Sequence, residues 1–206
     1  MSADQFAALV AFAAAASFTP GPNNTIATVT GANYGFRAVL PHVFGVPAGF
    51  TAMLLAAAGG IAALLLAAPL LAGLLKWLGV AYLLWLSWRL AHDRGAVASA
   101  AGGPFALPLG FAQSAAFQFL NPKAWMFALA VTTAFVTGEQ PWARATTVVV
   151  VCASAALLSL LAWGLMGAAL RGWLAQGLRL RVFNVAMAVL LAATALWMGA
   201  AGHAPT

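Results

Sequence analysis

Phe18-Thr19-Pro20-Gly21-Pro22-Asn23-Asn24 interrupts a stretch that carries no charge from Gln5 to Phe36. Pro20 and Pro22 each lack a backbone N–H, and their rings clash with a preceding helical turn. Gly21 between them adds backbone freedom. A regular helix through Thr19–Asn24 is therefore not expected, and Thr19, Asn23 and Asn24 add hydroxyl and amide donors and acceptors at the break. A second interruption, Gln118-Phe119-Leu120-Asn121-Pro122-Lys123-Ala124-Trp125, lies in the corresponding apolar run of the second half of the chain. Broken apolar helices at matching places in two halves mark the binding sites of many transporters.

The surroundings of the two breaks decide the fold class. The chain is 64% hydrophobic and only 6% charged, with a mean hydropathy of +0.97. A chain of 206 residues cannot hide that much apolar surface in a soluble core, so the lipid bilayer must act as its solvent. Uncharged stretches run over Gln5–Phe36, Ala38–Leu75, Ala145–Leu170 and Val182–Thr206. Two more spans fit at about Pro69–Ala91 and Phe105–Val136, given the ~20 residues a helix needs to cross ~30 Å of hydrocarbon. The reading is an all-α membrane protein of six transmembrane helices, with the first and fourth broken. It divides into residues 1–91, a linker over 92–104, and residues 105–206. Three spans per unit make consecutive units enter from opposite faces, which gives two inverted three-helix repeats.

The net charge of +6 does not form a nucleic-acid patch, because the basic residues are scattered over helix ends. They read as topology signals. With both termini outside, the cytoplasmic connections hold Arg37, Arg89, Arg94, Arg171, Arg179 and Arg181, whereas the inverse arrangement would place only Lys76 and Arg144 inside. The first span lacks the basic n-region of a removed signal. Gly45 and Gly49, and Gly164, Gly167 and Gly172, suit close helix packing, with a homodimer face as the alternative. Trp77, Tyr82, Trp85 and Trp88 read as an interfacial and lipid-facing belt. Cys152 is the only cysteine and reads as a packing residue, with no intrachain disulfide to form.

The chemistry concentrates at the breaks. Lys123 in mid-span costs ~2.5–3.5 kcal/mol on insertion scales unless paired or hydrated, so it should face the bundle interior. Two roles stay open for it: contact with a substrate carboxylate or with coupling protons, and a structural bond to the carbonyls freed by the break. Gln118, one turn before Asn121, can point to the same side. His42 is either a satisfied core histidine or a proton relay. Asp4, Asp93 and Glu139 all fall at span ends or in loops, so no carboxylate is available inside the membrane. His42, His92 and His203 lack metal-ligand spacing, and no nucleophile elbow or P-loop is present. No metal and no cofactor are expected. An enzyme is disfavoured, and a passive channel remains the stronger rival to a carrier.

At these residues the chain resembles the lysine exporter (LysE/RhtB) family of bacterial amino-acid efflux proteins. The resemblance rests on FTPGPNN at Phe18–Asn24, GANYGFR at Gly31–Arg37, LPHVFGVPAGF at Leu40–Phe50, GVAYLLWLSWRLA at Gly79–Ala91 and GFAQSAAFQFLNPKAW at Gly110–Trp125. It implies export of neutral or basic amino acids or their derivatives across the bacterial inner membrane, driven by the proton-motive force. It also implies that Pro20, Gly21, Pro22, Asn23, Asn24, Asn121, Pro122 and Lys123 line or shape the pathway. Within the family, AYLLWLSWRLA and the closing FNVAMAVLLAATAL look like the subgroup that exports cysteine and O-acetylserine. The missing intramembrane acid argues against a dedicated lysine or arginine site, because a cationic side chain would lack a partner. Small neutral amino acids are the expected substrates, with Thr19, Asn23, Asn24, Gln118 and Asn121 as polar contacts and His42 and Lys123 as coupling candidates.

Overall fold

The computed structural model describes residues 1–57, 59, 68–92, 108–136 and 140–200. The described residues are helical, with no strand among them: α1 (Ala3–Phe18), α2 (Pro22–Tyr34), α3 (Phe36–Ala56), α4 (Pro69–His92), α5 (Phe111–Leu120), α6 (Pro122–Phe135), α7 (Pro141–Leu174) and α8 (Arg179–Ala200). Residues 93–104 of the expected linker, with Asp93 and Arg94, lie outside the described residues, as do Glu139 and His203.

Both expected breaks are present, and both are narrower than the sequence suggests. The first covers only Thr19–Gly21, since α2 resumes at Pro22. Proline is well suited to the first helical position, where its missing N–H would have no partner in any case. Asn23 and Asn24 therefore sit in the first turn of α2 rather than in irregular chain. The second break is Asn121 alone, in extended conformation between α5 and α6. Pro41 and Pro47, in contrast, lie within the continuous α3.

Four helices are long and apolar enough to cross a bilayer, at Phe36–Ala56, Leu70–His92, Pro141–Leu174 and Arg179–Ala200. The breaks explain why the remaining two expected spans do not qualify. They cut one run into pieces of 16 and 13 residues and the other into pieces of 10 and 14 residues. At 1.5 Å per residue no single piece reaches ~30 Å, although each pair together exceeds it.

The long α7 runs beside both α1 and α2, while α5 packs on α3. Glycines make these approaches possible. A Cβ at Gly31 or Gly167 would strike the Gly164 or Thr28 carbonyl, fixing α2 against α7. Gly45 and Gly49 lie equally close to the Phe111 and Ala115 carbonyls of α5. Bare backbone contact of this kind is how helices associate where lipid supplies no hydrophobic drive. Gly172 departs from the expectation, for open space surrounds it. Trp77, Trp85 and Trp88 are exposed on α4, as a lipid-facing belt requires, whereas Tyr82 departs from that expectation by packing half-buried against Phe117 of the core.

Three buried clusters surround the centre. Leu9, Ala13, Met53 and Cys152 belong to one joining α1, α3, α6 and α7. Ile26, Leu83, Phe117 and Leu191 belong to a second joining α2, α4, α5 and α8. Val39, Val43, Val46 and Leu160 close a third between α3 and α7. The two breaks meet where these clusters leave polar side chains.

Candidate functional site: two helix breaks around one cavity

Both breaks line one cavity of about 80 Å³, with Gly21, Asn23, Asn24, Gln118, Asn121 and Lys123 in its wall. Pro22 also lines it, whereas Thr19 and Pro20 turn to a separate cavity on the other side of Lys123. Pro122 lies outside both walls and serves as the first residue of α6.

The halves are tied by a reciprocal amide pair. Asn23 Nδ2 donates to Gln118 Oε1 at 2.9 Å, and Gln118 Nε2 donates to Asn23 Oδ1 at 3.3 Å. Gln118 Nε2 also donates to the Ser114 carbonyl at 2.9 Å. His42, fully buried on α3, braces the same junction. Its Nε2 lies 3.1 Å from the Asn23 carbonyl, and its Nδ1 2.9 Å from Ser114 Oγ. A carbonyl only accepts, so Nε2 carries the proton; in the neutral ring Nδ1 then accepts from the Ser114 hydroxyl.

At the first break, Asn24 Nδ2 donates to the Ser17 and Thr19 carbonyls at 2.7 and 3.0 Å. Ser159 of α7 donates to the Ser17 carbonyl at 2.8 Å. These bonds satisfy the carbonyls that α1 leaves open at its end, which is what membrane depth demands of irregular backbone. Lys123 Nζ donates to the Thr19 carbonyl at 3.0 Å and passes so close over Gly21 that a Cβ there would lie 2.9 Å from it. The partner of this intramembrane lysine is thus a backbone carbonyl. Among the described residues the one carboxylate, Asp4, sits in the first turn of α1.

The two helix starts differ. Asn121 Oδ1 caps α6 by accepting from the Lys123 N–H at 3.1 Å. No side chain caps α2, whose N-cap is Gly21. Its first N–H groups carry the positive end of the helix dipole toward the cavity and the lysine.

Sequence reasoning missed Ser17, Ser114 and Ser159 at this site, and the pair Asn33–Asn184 elsewhere. Asn33 Nδ2 donates to Asn184 Oδ1 at 2.9 Å and receives the reverse bond at 3.2 Å, both side chains buried. The available signal was a neutral polar residue within an apolar span, which is informative even without charge.

Polar groups from two broken helices, gathered round a small cavity inside an apolar helical bundle, are the build of a membrane translocator. The chain belongs to the LysE type translocator family, whose profile matches residues 14–201. It is similar to the cysteine/O-acetylserine efflux protein of Salmonella typhimurium, 34% identical over 120 residues, or 58% of this chain and 60% of that protein. The protein of the same name from Klebsiella pneumoniae is 30% identical over 170 residues, 81% of this chain and 84% of its own. The Escherichia coli K12 protein is 33% identical over 120 residues, again 58% and 60%. The chain thus spans about 60% of the first curated relatives it matches. No solved structure matches.

Proposed function

We propose that the protein is a secondary exporter of small neutral amino acids of the cysteine, O-acetylserine or homoserine kind, driven by the proton-motive force. The observation that carries this reading is the Asn23–Gln118 pair, which joins the two breaks across a cavity that also holds Lys123. The uncapped start of α2 and the Lys123 ammonium suit a substrate carboxylate. The side-chain oxygens of Asn24, Gln118 and Asn121, which line the cavity and keep a further lone pair each, suit its ammonium group. No carboxylate lines the cavity to pair a cationic side chain, which favours neutral substrates. The names of the relatives point the same way. His42 Nδ1, which can accept a proton, and Lys123 Nζ, which can release one, are the atoms this reading assigns to coupling.

The architecture in this reading has six spans, counting α1–α2 and α5–α6 as one each, in inverted units 1–91 and 105–206 joined by 92–104. Packing supports it: the first span lies along α7 as the fourth lies on α3, while α3 pairs with α7 and α4 with α8. Such an exchange of partners is what a two-fold axis in the membrane plane demands. Both termini face outward, because Arg37, Arg89, Arg171, Arg179 and Arg181 share one end.

The test is efflux of radiolabelled O-acetylserine, cysteine and lysine from proteoliposomes under an imposed proton gradient. Saturable, trans-stimulated export of the neutral substrates is expected. Non-saturating flux without counterflow would make the protein a channel. Undiminished export by Asn121→Ala and Lys123→Ala variants would remove the site assignment.

A further inference from the structure

Under an exchange of the two halves, α1 corresponds to α5, α2 to α6, and α4 to α8. The core joining α2, α5, α4 and α8 through Ile26, Leu86, Phe117 and Leu191 should then have a counterpart among α6, α1, α8 and α4. Among the described residues, an open groove of about 520 Å³ lies there between α1, α6 and α8, lined by Phe12, Thr19, Lys123, Met126, Thr194 and Trp197, with Phe12, Met126 and Trp197 exposed. Among the described residues, the α1–α6 end is open where the α2–α5 end is filled. A carrier of inverted repeats alternates by exchanging these conditions between its ends.

At the filled end, two polar contacts tie α8 to the rest. Ser87 of α4 donates to the Ala188 carbonyl at 2.6 Å, and Asn184 exchanges two amide bonds with Asn33 at the end of α2. Asn33 stands ten residues beyond Asn23, or about 15 Å along the helix, so this pair lies well outside the substrate cavity. It stands at the end that carries Gly35 and Arg171, whose guanidinium would lie 3.1 Å from a Cβ at Gly35. Two neutral amides can part at modest cost, for each keeps alternative partners in a wetted pathway.

We propose that Asn33 and Asn184 form the gate that holds the α2–α5 end shut in the state described here. Breaking this pair lets α8 leave α2 and opens the cavity toward the end bearing Arg37 and Arg179. Asn184 is a positioning residue, since it reaches the site only through α2. The inference rests on the exporter reading above for its meaning, but not for its test.

Ala156 lines the cavity and is partly exposed, so Ala156→Cys on a Cys152→Ala background serves as the probe, the native Cys152 being fully buried. A charged, impermeant methanethiosulfonate would be applied to right-side-out and inverted membrane vesicles holding the full chain. Arg179→Cys on a Cys152→Ala background identifies which face is which. On the Ala156→Cys background, Asn184→Ala and Asn33→Ala should raise labelling at position 156 from the Arg179 face on the order of tenfold, as expected for two lost buried amide bonds. Labelling from the opposite face should stay level or fall. Asn184→Gln, which can rebuild an Asn–Gln pair like that of Asn23 and Gln118, should label like the Ala156→Cys parent. Unchanged labelling at the Arg179 face overturns the gate. Equal increases at both faces also overturn it, since they report loosening of the whole bundle. Failure of the exporter reading would appear separately, as a native protein that carries no amino acid.

Discussion

The two helix breaks differ more than their shared proline suggests. At the second, Asn121 caps α6, and Gly79 of α4 sits so near the Leu120 carbonyl and the Pro122 ring that no Cβ fits. At the first, the start of α2 has no side-chain cap, Lys123 bonds the Thr19 carbonyl across it, and an open groove separates the break from α8. One break is sealed by backbone contact and its own cap. The other is held by a flexible cation that a carboxylate could recruit. The difference teaches that similar interruptions can be held in different ways, one by main-chain contact and its own cap, the other by a side chain reaching across from its counterpart.

Substitutions can break or sharpen this contrast. The largest expected effect is from Gly79→Ala. Its Cβ would meet main chain that cannot swing aside, and overpacking of this kind costs ~1–3 kcal/mol or more. Thermal unfolding in detergent should show a clear loss of stability, and a native midpoint would mean the second break is not sealed as described. Next is Asn121→Ala, which removes the α6 cap at a cost of ~1 kcal/mol. The same melts should detect it, and restoration by Asn121→Asp would confirm that capping is the cause. The smallest effect on stability is expected from Gly21→Ala. Its new methyl meets only the far end of Lys123, and the extended backbone there admits any residue. The fold should hold to within ~0.5 kcal/mol, while efflux falls several-fold as the ammonium is displaced. A melt as damaged as that of Gly79→Ala would erase the distinction between the breaks.

Much of this was readable in the residues. Proline, glycine and amides inside uncharged runs marked both breaks, and nine of the ten residues singled out there line one of the two cavities that meet at Lys123. The width of the breaks was not readable, because proline's tolerance at a helix start let α2 resume at Pro22. Nor was the pairing of Asn23 with Gln118, which depends on how α5 lies against α2 and α3 across a separation of 95 residues. Attention to charge made Lys123 prominent and left neutral groups in shadow. Ser114 and Ser159 read as ordinary small residues until His42 and the Ser17 carbonyl were seen beside them. Asn184, in a last span with few other polar side chains, carried the same signal as Asn121 without a proline to announce it.

The central claim, that the two breaks act as one site, is tested most directly by a double-mutant cycle on substrate affinity in proteoliposomes. Asn23→Ala, Gln118→Ala and the double variant would be compared with the native chain. The account expects each single change to weaken binding and the double to be little worse than either, because both remove the same pair of bonds. Losses that simply add, or single variants that bind like the native protein, would contradict it.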